Sequence, residues 1–183
     1  KGKEIAFIQR GDLFVTSVDY STTRCITNTP SQERQIDFSP DGRSIVYAAE
    51  RDGIWNIFCS TLTNPKDNAF TYATSWEEKQ LTHSKEAPCF QPQYSPDGKY
   101  IAYIENRTTL KVLNLQTNKS ITILDGKYNY SYVDGDQYYC WSPDSKHILA
   151  SFFENGGWNN SDLALLPISE TRPPINLTRS AYN

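Results

Sequence analysis

Methionine is absent from the 183 residues, histidine occurs twice, and the four cysteines form no Cys-x-x-Cys pair. A closed zinc site needs paired ligands at short spacing. Cys25, Cys59, Cys89 and Cys140 stand at least 30 residues apart, so no metal is expected. They read as small buried hydrophobes on strands, with a single disulfide left open. His83 falls in a connecting loop and His147 at a variable position after a turn, and no Gly-x-Ser-x-Gly elbow accompanies them. A nucleophile, base and orienting acid are therefore not assembled here, and no catalytic residue or cofactor is expected. No run approaches the ~20 apolar residues of a membrane span, which argues against membrane insertion. Basic residues number 18 against 21 acidic ones, a net charge of −3 with no broad positive face for nucleic acid.

What is present is repetition. Hydrophobic residues at 38% with 21% charged place the chain among globular domains. Ser39-Pro40-Asp41-Gly42 recurs as Ser95-Pro96-Asp97-Gly98 and as Ser142-Pro143-Asp144-Ser145. Proline presets φ at the second turn position, Asp bonds its own backbone, and Gly tolerates the positive φ that follows. Ser145 in place of glycine predicts a cost of roughly 1 kcal/mol if that φ is kept. A basic residue and an apolar strand follow each turn, and Gly2 to Phe7 has the same form. The aligned isoleucines at 5, 45, 101 and 148 are separated by 40, 56 and 47 residues. The apolar runs are nearly continuous, as expected of strands covered on both faces.

A second strand follows each time, at Leu13–Val15, Ile54–Phe58, Leu110–Leu113 and Leu163–Leu165. A short closing strand is predicted at Cys25-Ile26-Thr27, Gln80-Leu81-Thr82, Ile121-Thr122-Ile123 and Asn176-Leu177-Thr178. One more strand precedes each Ser-Pro-Asp and ends on Phe38, Tyr94 or Trp141. Four short antiparallel strands at a period near 40 to 50 residues mark an all-β fold, the β-propeller of four-stranded blades. The expected organisation is one propeller segment over 1–183, with blades near 1–30 (partial), 31–84, 85–126 and 127–183. About four blades make an incomplete arc, since propellers close with typically four to eight. The opening "KGKEIAF" lies inside a patterned run, so the chain reads as a piece of a longer polypeptide. Exposed blade faces predict self-association.

Individuality belongs in the rim loops, Thr63–Lys79 and Glu154–Ser161 above all. The densest aromatic stretch is Tyr128–Trp141, "YNYSYVDGDQYYCW". Tyr138, Tyr139 and Trp141 are expected in blade packing. Tyr130, Tyr132 and Asp134 are the candidates for gripping a peptide, and Trp158 with Asn160 on the Gly156-Gly157 bend join them. Asp134 and Asp136 resemble the start of a calcium loop but lack its remaining ligands. Asp41, Asp97 and Asp144 read as turn residues, not as acid or base.

The aromatic-Ser-Pro-Asp-Gly-basic-x-Ile/Leu-Ala/Val-aromatic repeat resembles the WD-like repeat of TolB-type propellers, shared by TolB, prolyl-oligopeptidase propellers and tricorn-type peptidases. "IAFIQRGDLFVTSV", "ENRTTLKVLNL…ILDGKYNYSYVDGDQYYCWSPDSK" and "GGWNNSDLAL…INLTRSAYN" cover nearly the whole chain. Together they are similar to the amino-terminal propeller of bacterial tricorn-like serine peptidases. The resemblance implies an exported, periplasmic or cell-envelope protein whose signal peptide lies outside this segment. It also implies a PDZ module and a serine-protease core further along the parent, and for this segment a non-catalytic role in gating or binding peptides. The alternatives are a TolB-like envelope module that binds a protein, or the propeller of a prolyl-oligopeptidase-type peptidase.

Overall fold

The computed structural model describes residues 2–154, 161–169 and 173–179 of the chain. At each Ser-Pro-Asp turn the serine hydroxyl donates to the aspartate two residues on. The distances are 2.6 Å for Ser39–Asp41, 2.6 Å for Ser95–Asp97 and 2.5 Å for Ser142–Asp144. The same hydroxyl accepts the N–H five residues on, from Ser44, Tyr100 and His147. The aspartate accepts the N–H of Arg43, Lys99 and Lys146. The fourth turn position is left-handed in all three, with φ of 74° at Gly42, 72° at Gly98 and 59° at Ser145. Ser145 thus adopts a backbone that disfavours side chains. Its hydroxyl accepts the Asp97 N–H at 3.0 Å, a bond glycine cannot make.

Each turn opens a meander. Strands β1 (Glu4–Gln9), β2 (Asp12–Ser17) and β3 (Thr23–Cys25) form a three-stranded sheet. A second sheet contains β4 (Glu33–Phe38), β5 (Ser44–Arg51), β6 (Ile54–Leu62) and β7 (Trp76–Gln80). The third contains β8 (Cys89–Tyr94), β9 (Tyr100–Glu105), β10 (Thr109–Asn114) and β11 (Lys119–Leu124). The last contains β12 (Tyr139–Trp141), β13 (His147–Phe152), β14 (Asp162–Pro167) and β15 (Ile175–Asn176). Within every sheet the strands lie in chain order. The only helical elements among the described residues are the 3-10 turns Phe70–Tyr72 and Gly126–Tyr128.

Three of the closing strands stop at the first residue of the segment where the sequence places them: β3 at Cys25, β7 at Gln80 and β15 at Asn176. A side chain explains this. Ile26, Leu81 and Leu177 still donate their N–H groups to the carbonyls of Leu13, Ile57 and Leu163. The return bond then goes to a hydroxyl instead of a carbonyl. Leu13, Ile57 and Leu163 donate to Oγ1 of Thr27, Thr82 and Thr178 at 2.9, 2.8 and 2.9 Å. These hydroxyls donate onward to Glu33, Asn56 and Asp162. In the third sheet β11 continues as a regular strand, and the register shifts between Leu110 and Lys111 instead.

Two compact units divide the chain, residues 1–94 and 95–183. In the first, Ile45, Tyr47, Ala49, Phe58 and Leu62 of the second sheet share a core with Leu13 and Val15, against which Ala6 and Ile8 also pack. Glu33 is buried in this unit beside Arg51 at 2.8 Å and Thr27 at 2.8 Å, so its charge is compensated. In the second unit Ile148, Ala150, Phe152, Ala164 and Leu166 share a core with Ala102, Ile104, Leu110 and Val112. By pairing register, Ile5, Phe7, Phe14 and Val18 occupy in the first sheet the positions that Ile45, Tyr47, Phe58 and Leu62 hold in the second. Ile45 and Leu62 are buried, whereas Ile5 is 54% and Val18 55% exposed. The sequence pattern is the same, and only the presence of a covering sheet differs.

The turn carboxylates titrate below the ordinary aspartate value. For Asp41 and Asp97 burial is the largest single influence and acts upward. It is outweighed by the Ser39 or Ser95 hydroxyl, the Arg43 or Lys99 amide and the adjacent positive charge. For Asp144 the Ser142 hydroxyl leads, followed by the Lys146 amide. Asp37 shifts the other way, lifted by burial and only partly pulled back by the amides of Tyr94 and Phe38.

Two expectations follow for stability. Ser145→Ala loses the bond to Asp97 while keeping the left-handed backbone, and costs about 1 kcal/mol. Ser145→Gly loses the same bond but relaxes the backbone, so it lies ~1 kcal/mol nearer the parent in urea unfolding. Equal losses in both variants would eliminate the backbone contribution. A carboxylate depressed in the fold contributes stability that is present above its unfolded value, about 3.9, and lost as pH falls through the folded value. The urea midpoint therefore drops on acidification below about pH 4, and drops less steeply in Asp97→Asn. Identical acid limbs in the two proteins would contradict this.

Candidate functional site

The tyrosine-rich stretch begins on a turn that only glycine fits. A Cβ at Gly126 would lie 2.5 Å from Oγ1 of Thr108 and 2.8 Å from Oγ1 of Thr109. Asp125 caps the 3-10 turn Gly126–Tyr128 by accepting the Lys127 N–H at 3.0 Å. Tyr128 packs against the core of its unit, and its carbonyl accepts the Phe153 N–H at 2.8 Å. This fixes the start of the loop.

The loop that follows is tied to itself. Asp136 accepts the N–H of Tyr132 at 2.7 Å and of Val133 at 3.2 Å. Gln137 donates to the Tyr130 carbonyl at 3.1 Å and to Asp136 at 2.8 Å, and Ser131 donates to the Val133 carbonyl. Burial would raise Asp136, but the Ser131 hydroxyl, the two amides and Gln137 hold it below the ordinary range. Its carboxylate is thus committed to shaping the loop. Asp134 lies 3.3 Å from Nε of Arg107, which stands on the left-handed Asn106-Arg107 turn between β9 and β10. That contact is ionic without hydrogen-bond alignment.

These ties leave the aromatic rings outside. Tyr130 and Tyr132 meet edge to face, their centroids 4.9 Å apart and their planes at 79°. Tyr132 is 69% exposed, and Val133 beside it is exposed as well. A held aromatic pair of this kind offers flat apolar area at small conformational cost, which suits the side chains of an extended peptide.

The structure brings Tyr130, Tyr132 and Asp134 into one loop. Trp158 and Asn160 lie outside the described residues. Packing was expected of three further aromatics, and two of them pack: Tyr139 is buried with its hydroxyl donating to the Ala102 carbonyl at 3.2 Å, and Trp141 stacks on Tyr100 at 6.4 Å. Tyr138 is the correction. It is 81% exposed, because strand alternation sends it opposite to Tyr139. Gln137, Asp136 and Arg107, which shape the loop, went unrecognised as its supports. The Asp-Gly-Asp-Gln run after alternating tyrosines was the available signal, since such side chains bond nearby amides. His147 lies at the foot of β13, its Nδ1 3.9 Å from Asp144. The turn residues Ser39 to Gly42, Ser95 to Gly98 and Ser142 to Asp144 hold hairpins.

No family model matches the sequence, and a search of curated proteins finds no match. Solved structures do match. A protein assigned as TolB from Agrobacterium tumefaciens superposes with a TM-score of 0.63 at 19% identity, over 94% of this chain and 59% of that one. TolB from Acinetobacter baumannii gives 0.66 at 18% identity, over 96% of this chain and 40% of its own. The tricorn protease gives 0.70 at 15% identity, over 98% of this chain and 16% of that protein. The chain thus spans less than two thirds of each. At these identities the likeness is one of fold, and the chain has the TolB-type β-propeller fold, its sheets being propeller blades.

Proposed function

We propose that this chain is a non-catalytic peptide- or protein-binding module, the amino-terminal gating or substrate-binding propeller of an exported tricorn-like serine peptidase. The observation that carries the binding role is the exposed, edge-to-face pair of Tyr130 and Tyr132. The likeness to the tricorn protease over 98% of the chain supports the choice of parent. Periplasmic or envelope location belongs to the same proposal, and among the described residues no helix is long and apolar enough to cross a membrane. Trp158 and Asn160 enter as further candidates for the same contact. Self-association through the exposed Ile5 and Val18 face is a second contact, supported by their register equivalence to buried residues.

A TolB-like envelope module bound to a protein through one rim is the alternative, supported by the two TolB structures.

The test uses a panel of fluorescein-labelled unstructured peptides read by anisotropy. Tyr130→Ala and Tyr132→Ala each weaken binding roughly tenfold, as expected for an exposed aromatic anchor, and leave the circular dichroism spectrum unchanged. Parent-like affinity in both variants would rule out this loop as the contact.

A further inference from the structure

The connections β2–β3, β4–β5 and β6–β7 lie at one end of the first two sheets, because each joins antiparallel neighbours one hairpin apart. In the third sheet the matching link is four residues, from Leu115 to Asn118, whereas residues 63–75 make a much longer one between β6 and β7. That loop is built firmly. The Arg43 guanidinium donates to the carbonyls of Leu62 and Asn64 at 3.1 Å each, and to that of Asp67. Asp67 accepts from Thr74 at 2.9 Å, and Glu4 accepts the N–H groups of Phe70 and Thr71 at 3.0 and 2.7 Å. Phe70 is buried in the core of the unit.

Between this loop and the Ser39 turn lies a cleft of ≈ 640 Å³. That volume falls within the ~300–1,000 Å³ range of ligand pockets and exceeds what one side chain needs. Phe38 and Pro40 supply apolar lining, and Tyr20 and Tyr72 meet edge to face at 6.2 Å and 79°, both exposed. Among the described residues three carboxylates, Glu4, Asp19 and Asp41, line the cleft with one ammonium, Lys3. Glu4 is committed to the loop amides, and the Arg43 guanidinium is spent on loop carbonyls, so its charge lowers Asp41 without forming an ion pair in the cleft. Asp19 has no side-chain hydrogen bond or ion pair among the described residues, and Asp41 uses only Oδ1 within its turn. Beside Gly42 the space is open: a Cβ there would meet no atom within 4 Å.

Carboxylates outside any ion pair, beside exposed aromatic faces, recognise a cation through charge and ring quadrupole together. We propose that this cleft is a second recognition site, which receives an arginine or lysine side chain carried on an extended peptide. The apolar lining takes the chain on either side of the basic residue, and Asp19, Asp41 and the tyrosine pair take the charge. The site lies within residues 2–72 and is independent of the Tyr130 loop.

The probe is an acetylated, amidated Gly-Pro-Arg-Pro-Gly peptide titrated into the ¹⁵N-labelled chain, with a citrulline analogue as the uncharged control. The arginine peptide shifts the amides of Lys3, Tyr20, Gly42 and Tyr72 saturably, and the citrulline peptide binds about tenfold more weakly. Asp19→Asn, which removes no structural bond, weakens the arginine peptide about fivefold and leaves the rest of the spectrum in place. The proposal is overturned if the shifts miss the cleft, if citrulline matches arginine, or if Asp19→Asn binds like the parent. None of these outcomes bears on the Tyr130 loop, whose binding is read at other residues.

Discussion

A small β-sheet with two apolar faces cannot stay folded in water unless both faces are covered, and that constraint organises this chain. In β5 the five residues Ile45–Ala49 are all fully buried, although strand geometry points them alternately to opposite sides. One side meets Leu13 and Val15 of the first sheet, and the other lies toward β8, where Trp55 meets Phe90 at 5.3 Å and Cys59 meets the Tyr94 hydroxyl at 3.2 Å. Repetition is therefore the means by which the core exists. Within each unit one sheet supplies the lid of the next, and at ~25 cal/mol per Å² of apolar surface the stacking outweighs any local propensity. The first sheet shows the converse, with the same pattern of residues left open at Ile5 and Val18.

Two local devices make such sheets repeatable. The Ser-Pro-Asp ring starts each hairpin with bonds that depend on no other part of the fold. The threonine clasp ends three of them by letting a hydroxyl stand in for a backbone carbonyl, so the chain turns away early without leaving an amide unsatisfied. Variation is then confined to the connections, where an added residue disturbs neither face. Both proposed recognition sites are of this kind: one on the loop after Gly126, the other on the link between β6 and β7.

How much of this the sequence discloses depends on the range of the interaction concerned. The turns at Ser39, Ser95 and Ser142 are legible because the bonds that close each ring span at most five residues. The meander and the four-sheet count are legible because nearly continuous apolar runs, each tied to a turn signal, recur every 40 to 56 residues. The ends of β3, β7 and β15 are displaced because Thr27, Thr82 and Thr178 bond to strands 14 to 25 residues away, and the residue type alone does not announce a clasp. Tyr138 was assigned by its neighbours' chemistry, whereas its face is set by a parity that only the start of β12 determines. The cleft is the least legible feature, since Tyr20 and Tyr72 are brought together by the packing of two sheets. Only the length of the inserted loop hinted at it.

The central claim, that one sheet cannot shield its own faces, is tested most directly by excising residues 31–84, which include all of β4 to β7, and following urea unfolding by circular dichroism. The account predicts a disordered spectrum and no cooperative transition for that piece alone. A sigmoidal transition from a native-like β spectrum, in a monomeric sample, would contradict it.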